Sequence, residues 1–543
     1  MRGWKGICLA FIGLLGFIAM EASSYAKTPF TEGGVVRQKC SVCHRLDQQG
    51  KVEVIEETRK TPEEWFNVIS RMIRLNGAPI GDPEIKPAVK ELSQHLILTP
   101  AEMAMVAYYN SDENSHFRER SSLMKSDFEK RVFQACVRCH AYGKILSHRH
   151  TAANWKEIMN MHLGYYPTVV PQMREMDWPK EAMDLAPVLA ETFPKDSPEF
   201  NTWVGARKAQ DLAGKWKIAG YQPGIGYYEG TYTFKADPKA EDEYQITREV
   251  QYENGTSLKQ VGTGTLYGEY HLRYGLVPTQ LTGQVEGVFD LDADAKGFKG
   301  KWWTVVQDTN AFGSEVFFKA DAPARVIAVF PQAVKSGGAA QSVRMIGVNL
   351  PATVAAADVT FGDPNVKAKS VKRADATKLV VEVTAAQGAA VGPCKVQVKG
   401  AASAVNLVVF DKLDGIRVFP ALGRARNTCG SAYPPEGVQF EARGVNFGKD
   451  GKAETEDDLI LEPVAAQWAL EEEKTADWDD DIKYLAAPID NGLYTPQGTF
   501  APIESRRQRM AAVGLIAVTA SYQDFKGRAL LGVTDADFVT HIK

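Results

Sequence analysis

Cys40-Ser-Val-Cys43-His44 and, 96 residues further on, Cys136-Val-Arg-Cys139-His140 are the two stretches on which the reading of this chain turns. Two thiols three positions apart can each add to one vinyl group of a single haem. The adjacent histidine then aims its imidazole at the iron from the same side. A bare C-x-x-C would serve zinc or thiol redox chemistry equally well. Zinc, however, needs a second pair or nearby histidines to close its cage, and a redox dithiol has no use for histidine at the next position. Two such pentapeptides in one chain predict two covalent c-type haems and an electron-transfer role. Cys40, Cys43, Cys136 and Cys139 are the attachment points, and His44 and His140 the proximal ligands.

Outward from the motifs runs an internal repeat. Thr61-Pro62-Glu63-Glu64-Trp65 is followed by Val68, Ile69 and Met72, and Thr151-Ala152-Ala153-Asn154-Trp155 by Ile158, Met159 and His162. Each threonine is placed to cap a helix, and the first copy adds proline at N1 and glutamate at N3. Each stripe then recurs at i, i+3, i+4 and i+7, the face a helix turns to its core. Aligning the tryptophans sets Met72 opposite His162, and methionine and histidine are the residues that usually complete haem iron. The first site is therefore expected to be His44/Met72 and the second His140/His162. Met103, Met105 and Met124 compete for the first, and His95, His116, His148 and His150 for the second. Methionine raises the potential of haem iron, so electrons should run from the second site to the first. A third box, Thr99-Pro100-Ala101-Glu102, starts another helix through Met103.

At 543 residues the chain is too long for one core. A formal charge of −4 without a long basic run argues against nucleic acid. Arg2 and Lys5 precede an apolar run from Gly6 to Met20, then Ser24-Tyr25-Ala26. That is the layout of a secretory signal peptide cleaved after Ala26, because the run is short of the roughly 20 residues a spanning helix needs. The mature protein is expected in the periplasm, off the membrane. Beyond the motifs, Cys394 and Cys429 remain, and an oxidising compartment favours a disulfide between them.

After about residue 205 the pattern changes to period two: Gly230–Phe234, Tyr244–Thr247, Gly264–Tyr270, Gly283–Phe289 and Lys301–Val306, with an Asn254-Gly255 turn. Even spacing of short strands reads as a barrel, its aromatics either filling the core or cradling a ligand. Runs such as Lys378–Val383 and Cys394–Val398 have the texture of an immunoglobulin-like sandwich, and the last stretch is again β. The expected domains are a signal peptide 1–26, a helical dihaem cytochrome domain 27–204, an antiparallel β-barrel 205–324, an immunoglobulin-like domain 325–411 and a C-terminal β-sandwich 412–543. The acidic run Trp478-Asp479-Asp480-Asp481 reads as a solvated loop. No nucleophile–base pair, metal-ligand spacing or phosphate loop stands out after residue 205.

Two haem motifs in a helical N-terminal part, the Met72/His162 repeat and three trailing β-domains resemble the α subunit of quinohemoprotein amine dehydrogenase, over essentially the whole mature chain. The resemblance implies a periplasmic αβγ heterotrimer with a propeller β subunit and a γ subunit bearing a cysteine tryptophylquinone. That quinone would oxidise primary amines to aldehyde and ammonia, with electrons leaving through the haems to a blue copper protein or small cytochrome c. No catalytic residue carries over, because the quinone belongs to γ; what carries over is the haem set named above. Two other readings compete. One is a self-contained dihaem peroxidase-type enzyme, which needs an open sixth position on one iron. The other is a free-standing periplasmic dihaem cytochrome.

Overall fold

The computed structural model describes residues 28–103, 126–136, 142–165, 167–278, 284–292, 297–305, 311–427, 435–455, 457–475, 477–496 and 512–534. The leader through Ala26, the candidates Met105, Met124 and His116, and Cys139, His140 and Cys429 lie outside them.

The N-terminal part is helical where the capping signals fall. Thr61 accepts a hydrogen bond from the Glu64 amide at 3.3 Å and opens helix α1 (Pro62–Asn76), which Gly77 ends in the left-handed conformation at φ 64°. Helices α2 (Asp82–His95), α3 (Pro100–Met103), α4 (Asp127–Cys136), α5 (Tyr142–Leu146), α6 (Ala152–Tyr165), α7 (Val169–Gln172), α8 (Trp178–Thr192) and α9 (Pro198–Ala206) follow. Thr99 and Glu102 form the expected reciprocal box at α3. The repeat is visible in the packing. Trp65 and Ile69 of α1 are buried with Val36, Val52 and Leu92, and Cys40 and Val68 pack at that cluster's edge. Trp155 and Met159 of α6 are buried with Val132 and Leu185, and Cys136 and Ile158 pack at theirs. Each half thus buries the same helix face against its own cysteine motif.

A two-stranded ribbon joins the halves. Strand β1 (Thr58–Arg59) pairs antiparallel with β2 (Arg149–His150), setting Arg59 opposite Arg149. In the repeat these are equivalent positions, two residues before each capping threonine.

Strands β3 (Gly214–Gln222), β4 (Gly226–Ala236), β5 (Glu243–Tyr252), β6 (Ser257–Tyr267), β7 (His271–Pro278), β8 (Gln284–Leu291), β9 (Gly297–Val305) and β10 (Phe312–Lys319) close into an antiparallel barrel. Closure removes the unpaired edges that an open sheet would expose. Alternate side chains fill the interior: Trp216, Tyr228, Tyr232, Phe234, Phe289, Phe298 and Phe317 are buried together. The aromatic-rich stretch is core. One expected strand is shorter than read. In Gly264–Tyr270 the strand stops at Tyr267, because Gly268 and Glu269 take φ of 53° and 70°, and the chain turns there. The Asn254-Gly255 turn forms as expected, with Gly255 at φ 88°. Gly230 sits where strands approach closely: an added Cβ would lie 2.0 Å from the Glu249 carbonyl oxygen. Gly230→Ala should therefore cost about 1–3 kcal/mol by overpacking, readable as a lower denaturation midpoint; an unchanged midpoint would show that the strands can yield there.

After the barrel come β11 (Arg325–Phe330), β12 (Ala333–Lys335), β13 (Gln341–Val348), β14 (Val359–Phe361), β15 (Val366–Asp375), β16 (Lys378–Ala385), β17 (Gly392–Val398), β18 (Ala402–Ser403) and β19 (Asn406–Phe410). They form a five-stranded sheet, β15-β16-β13-β11-β18, and a four-stranded one, β12-β19-β17-β14. Valines from both fill the core. Cys394 of β17 lies in that core, and its expected disulfide partner Cys429 lies outside the described residues. Its side chain points between the sheets, where a thiol packs as a small apolar group. Residues 415–534 form three further sheets, including the long hairpin of Gly514–Tyr522 with Phe525–Thr534. The acidic run is partly built in: Asp481 accepts a hydrogen bond from the Leu515 amide at 2.7 Å. No helix among the described residues is long and apolar enough to cross a membrane.

The barrel grips the helical part directly. Fully buried His271 spans Asp290 Oδ1 at 2.7 Å and the Leu98 carbonyl at 3.0 Å, and Arg273 pairs with Glu63 at the start of α1.

Candidate functional site

The first motif begins on a short π-helical turn, Val36–Cys40, held by the Val36 amide donating to Glu91 Oε2 at 2.9 Å. The Cys43 and His44 amides both donate to the Cys40 carbonyl, at 3.1 and 2.9 Å. One tight turn therefore carries both thiols and the histidine, as attachment to one macrocycle requires. Burial pushes the Cys40 thiol up to about 11, with Glu91 and Cys43 adding to it. Burial lowers His44, against a backbone hydrogen bond with Glu53, which favours the neutral ring that a metal needs. Val42, Leu46 and Val54, in or close to this segment, are exposed at 66%, 42% and 47%. Large apolar side chains left open beside an attachment motif fit a flat apolar group that covers them. Met72 lies on α1, partly buried, with its sulfur 3.6 Å from Asn76 Nδ2.

In the second half Cys136 ends α4 and is partly buried. His162 lies on α6 with Nδ1 2.8 Å from the Ile158 carbonyl. A carbonyl only accepts, so the ring proton sits on Nδ1 and the lone pair on Nε2, as a metal ligand needs. Burial lowers His162, and the nearby Arg71 and Lys144 act in the same sense. The described residues of both halves therefore suit haem.

The other candidates among the described residues have these surroundings. Met103 is fully buried beside Leu98. His95 packs edge-on against Phe30, in the first half's core region. His148 and His150 stack at 5.5 Å and belong to a buried polar cluster between the halves. There His148 Nε2 lies 3.5 Å from Glu64, Lys144 Nζ lies 3.6 Å from the other Glu64 oxygen, and Lys60 Nζ lies 3.2 Å from His150 Nε2.

Sequence reasoning missed the residues that lock the halves together. Arg59 donates to both Glu102 oxygens, at 2.7 and 3.0 Å, and Arg149 Nε donates to Oε1 at 2.9 Å. Burial alone would raise the Glu102 carboxyl, but the two guanidiniums hold it at about 2. Arg59 also lies 3.9 Å over the Phe200 ring, and Arg149 5.1 Å over Phe193. A signal was present: the repeat register that aligns the tryptophans also aligns Arg59 with Arg149.

Residues 31–200 match the family model described as quinohemoprotein amine dehydrogenase A, alpha subunit, haem binding. Residues 209–320, 323–411 and 416–541 match the models for that alpha subunit's domains II, III and IV. No curated protein matches. Among solved structures, a redesigned β-barrel bound to DFHBI is 15% identical at a TM-score of 0.18, covering 20% of this chain and 94% of that one. A de novo designed fluorescence-activating β-barrel is 18% identical at 0.17, covering 20% and 95%. Drosophila N-cadherin EC1-3 is 9% identical at 0.21, covering 56% and 92%. Likenesses this weak carry no argument.

Proposed function

This chain belongs to the quinohemoprotein amine dehydrogenase α-subunit family, and from that premise we propose that it is the dihaem electron-transfer subunit of a periplasmic amine dehydrogenase. Membership makes it a haem-binding subunit of a multi-subunit oxidoreductase. The finer reading rests chiefly on one observation. Both cysteine motifs pack at the edge of a core that buries the same face of a capped helix, and those helices offer Met72 and His162 at the same turn.

Cys40, Cys43, Cys136 and Cys139 would tether the two haems, and His44, Met72, His140 and His162 would ligate their irons. The chemistry the haems supply is one-electron storage and transfer. The His44/Met72 set raises the potential at the first site above that of the His140/His162 set, which directs electrons from second to first. With Met72 and His162 as ligands neither iron would offer a peroxide an open position, which argues against a peroxidase-type enzyme. The amine chemistry is assigned to a cysteine tryptophylquinone on a γ partner beside a propeller β subunit, with a blue copper protein or small cytochrome c as acceptor. The two C-terminal β units are read as immunoglobulin-like sandwiches, and the leader as cleaved after Ala26.

The deciding experiment is purification from periplasm followed by addition of n-butylamine. The haems should be reduced in the complex and stay oxidised in this chain alone; a single chain without a quinone-staining partner would sink the proposal. Met72→Ala should change one haem's spectrum and lower its potential by on the order of 0.1 V, given the roughly 0.8 V that axial ligation spans. If both haems keep their spectra, the ligand is another residue.

A further inference from the structure

The buried polar cluster between the halves carries positive charge that its own acid does not balance. Lys60 is 6% exposed with its Nζ 3.2 Å from His150 Nε2, and burial lowers it to about 7. That ring is neutral, driven well below its usual range by burial and by Lys60 itself. The acid whose charge reaches Lys60 is Glu64, and Glu64 is already engaged by Lys144 and His148. Arg71 adds a further charge close enough to act on both Lys60 and His162. Holding such cations away from water is unfavourable unless an anion accompanies them.

Unmet donors point the same way. Arg71 Nε is buried without a hydrogen-bond partner. So is the indole N–H of Trp155, whose ring is 4% exposed and stands 4.7 Å from His150. The equivalent Trp65 is satisfied, donating to the Leu96 carbonyl at 2.8 Å. At this tryptophan the two copies of the repeat differ: the second holds an unused donor beside an excess of cations. A pair of carboxylates answers both needs.

We propose that Lys60, Arg71 and the Trp155 N–H hold the propionate carboxylates of the haem carried by the second motif. The choice of haem follows from position. Trp155 shares helix α6 with His162, whose ring stands 5.8 Å from Trp178 of the core that buries Trp155. The inference rests on the dihaem reading above. It adds a physical consequence: Lys60 and Arg71 come from the first half, so the first half sets the potential of the second half's haem. Positive charge beside a propionate favours the reduced iron.

The test uses the full chain in its complex, titrated spectroelectrochemically. Arg71→Gln should lower the reduction equilibrium constant of the bis-histidine haem about tenfold, which is 59 mV for a one-electron couple. The methionine-ligated haem should move less. Arg71→Lys should restore most of the shift. Trp155→Phe removes a donor without removing charge, and should move the same haem in the same direction by a smaller factor. Both variants keep a chain with two haems by pyridine haemochrome assay. Two haems with unmoved potentials in both variants, or equal shifts at both haems, overturn this proposal alone. Fewer than two haems in the unaltered chain, or no bis-histidine signature in it, overturn the dihaem reading and this proposal with it.

Discussion

Glu102→Leu is expected to destabilise the helical part by about 3–5 kcal/mol, the cost of leaving a buried charge without its partner. Two guanidiniums are stranded at once, with side chains 0% and 5% exposed, so the upper end of that range applies. The substitution also deletes the acceptor of the Thr99 amide and so loosens the start of α3. Chemical denaturation followed by far-ultraviolet circular dichroism reads the loss, and a change below about 1 kcal/mol would mean that the arginines find other acceptors. The pH dependence carries a definite sign. The folded carboxyl sits at about 2, below its ordinary value of 4.5. Its contribution is complete above pH 4.5 and drains away as pH falls towards 2. The gap between the wild type and Glu102→Gln should close through that window. Because Glu102 ties β1 to β2, its loss should also loosen the spacing of the two haem halves.

The second large effect belongs to the barrel. Arg248 and Glu315 have side chains 1% and 0% exposed. Glu315 accepts from Arg248 Nε at 2.9 Å, Tyr228 at 2.8 Å and Tyr232 at 2.6 Å. Glu315→Leu strands Arg248 among aromatic rings and should cost about 3–5 kcal/mol. Arg248→Met combined with Glu315→Leu should recover much of that loss, since a buried pair and an apolar replacement of similar volume often differ little. A double-mutant cycle on the unfolding free energy measures the coupling. Additive losses, with no recovery in the double variant, would show that the tyrosines and not the ion pair hold this centre.

The buried pair also marks where sequence reading stopped. Arg248 and Glu315 sit 67 residues apart on strands that do not neighbour one another. Period-two alternation over Tyr244–Thr247 told that β5 has an inside, and nothing in it told that a charge there would meet one on β10. The strand read through Gly268 and Glu269 shows a second limit. Two successive positive φ values end β6, and composition alone favoured continuing it.

By itself the sequence predicted the chemistry of the two motifs and showed the capped helices that follow them. Thiol spacing is covalent geometry and capping is a bond between near neighbours, so both can be read from adjacent residues. The repeat even carried the aligned Arg59 and Arg149. Only the tertiary structure decided what those positions do. Antiparallel pairing of β1 with β2 brings both arginines onto Glu102, and it gathers Lys60, Glu64, Lys144, His148 and His150 into one buried cluster. Such contacts depend on how two helical halves dock, and docking is set by long-range packing that no local pattern encodes. The sequence placed a haem motif in each half; the fold made the halves share their charges.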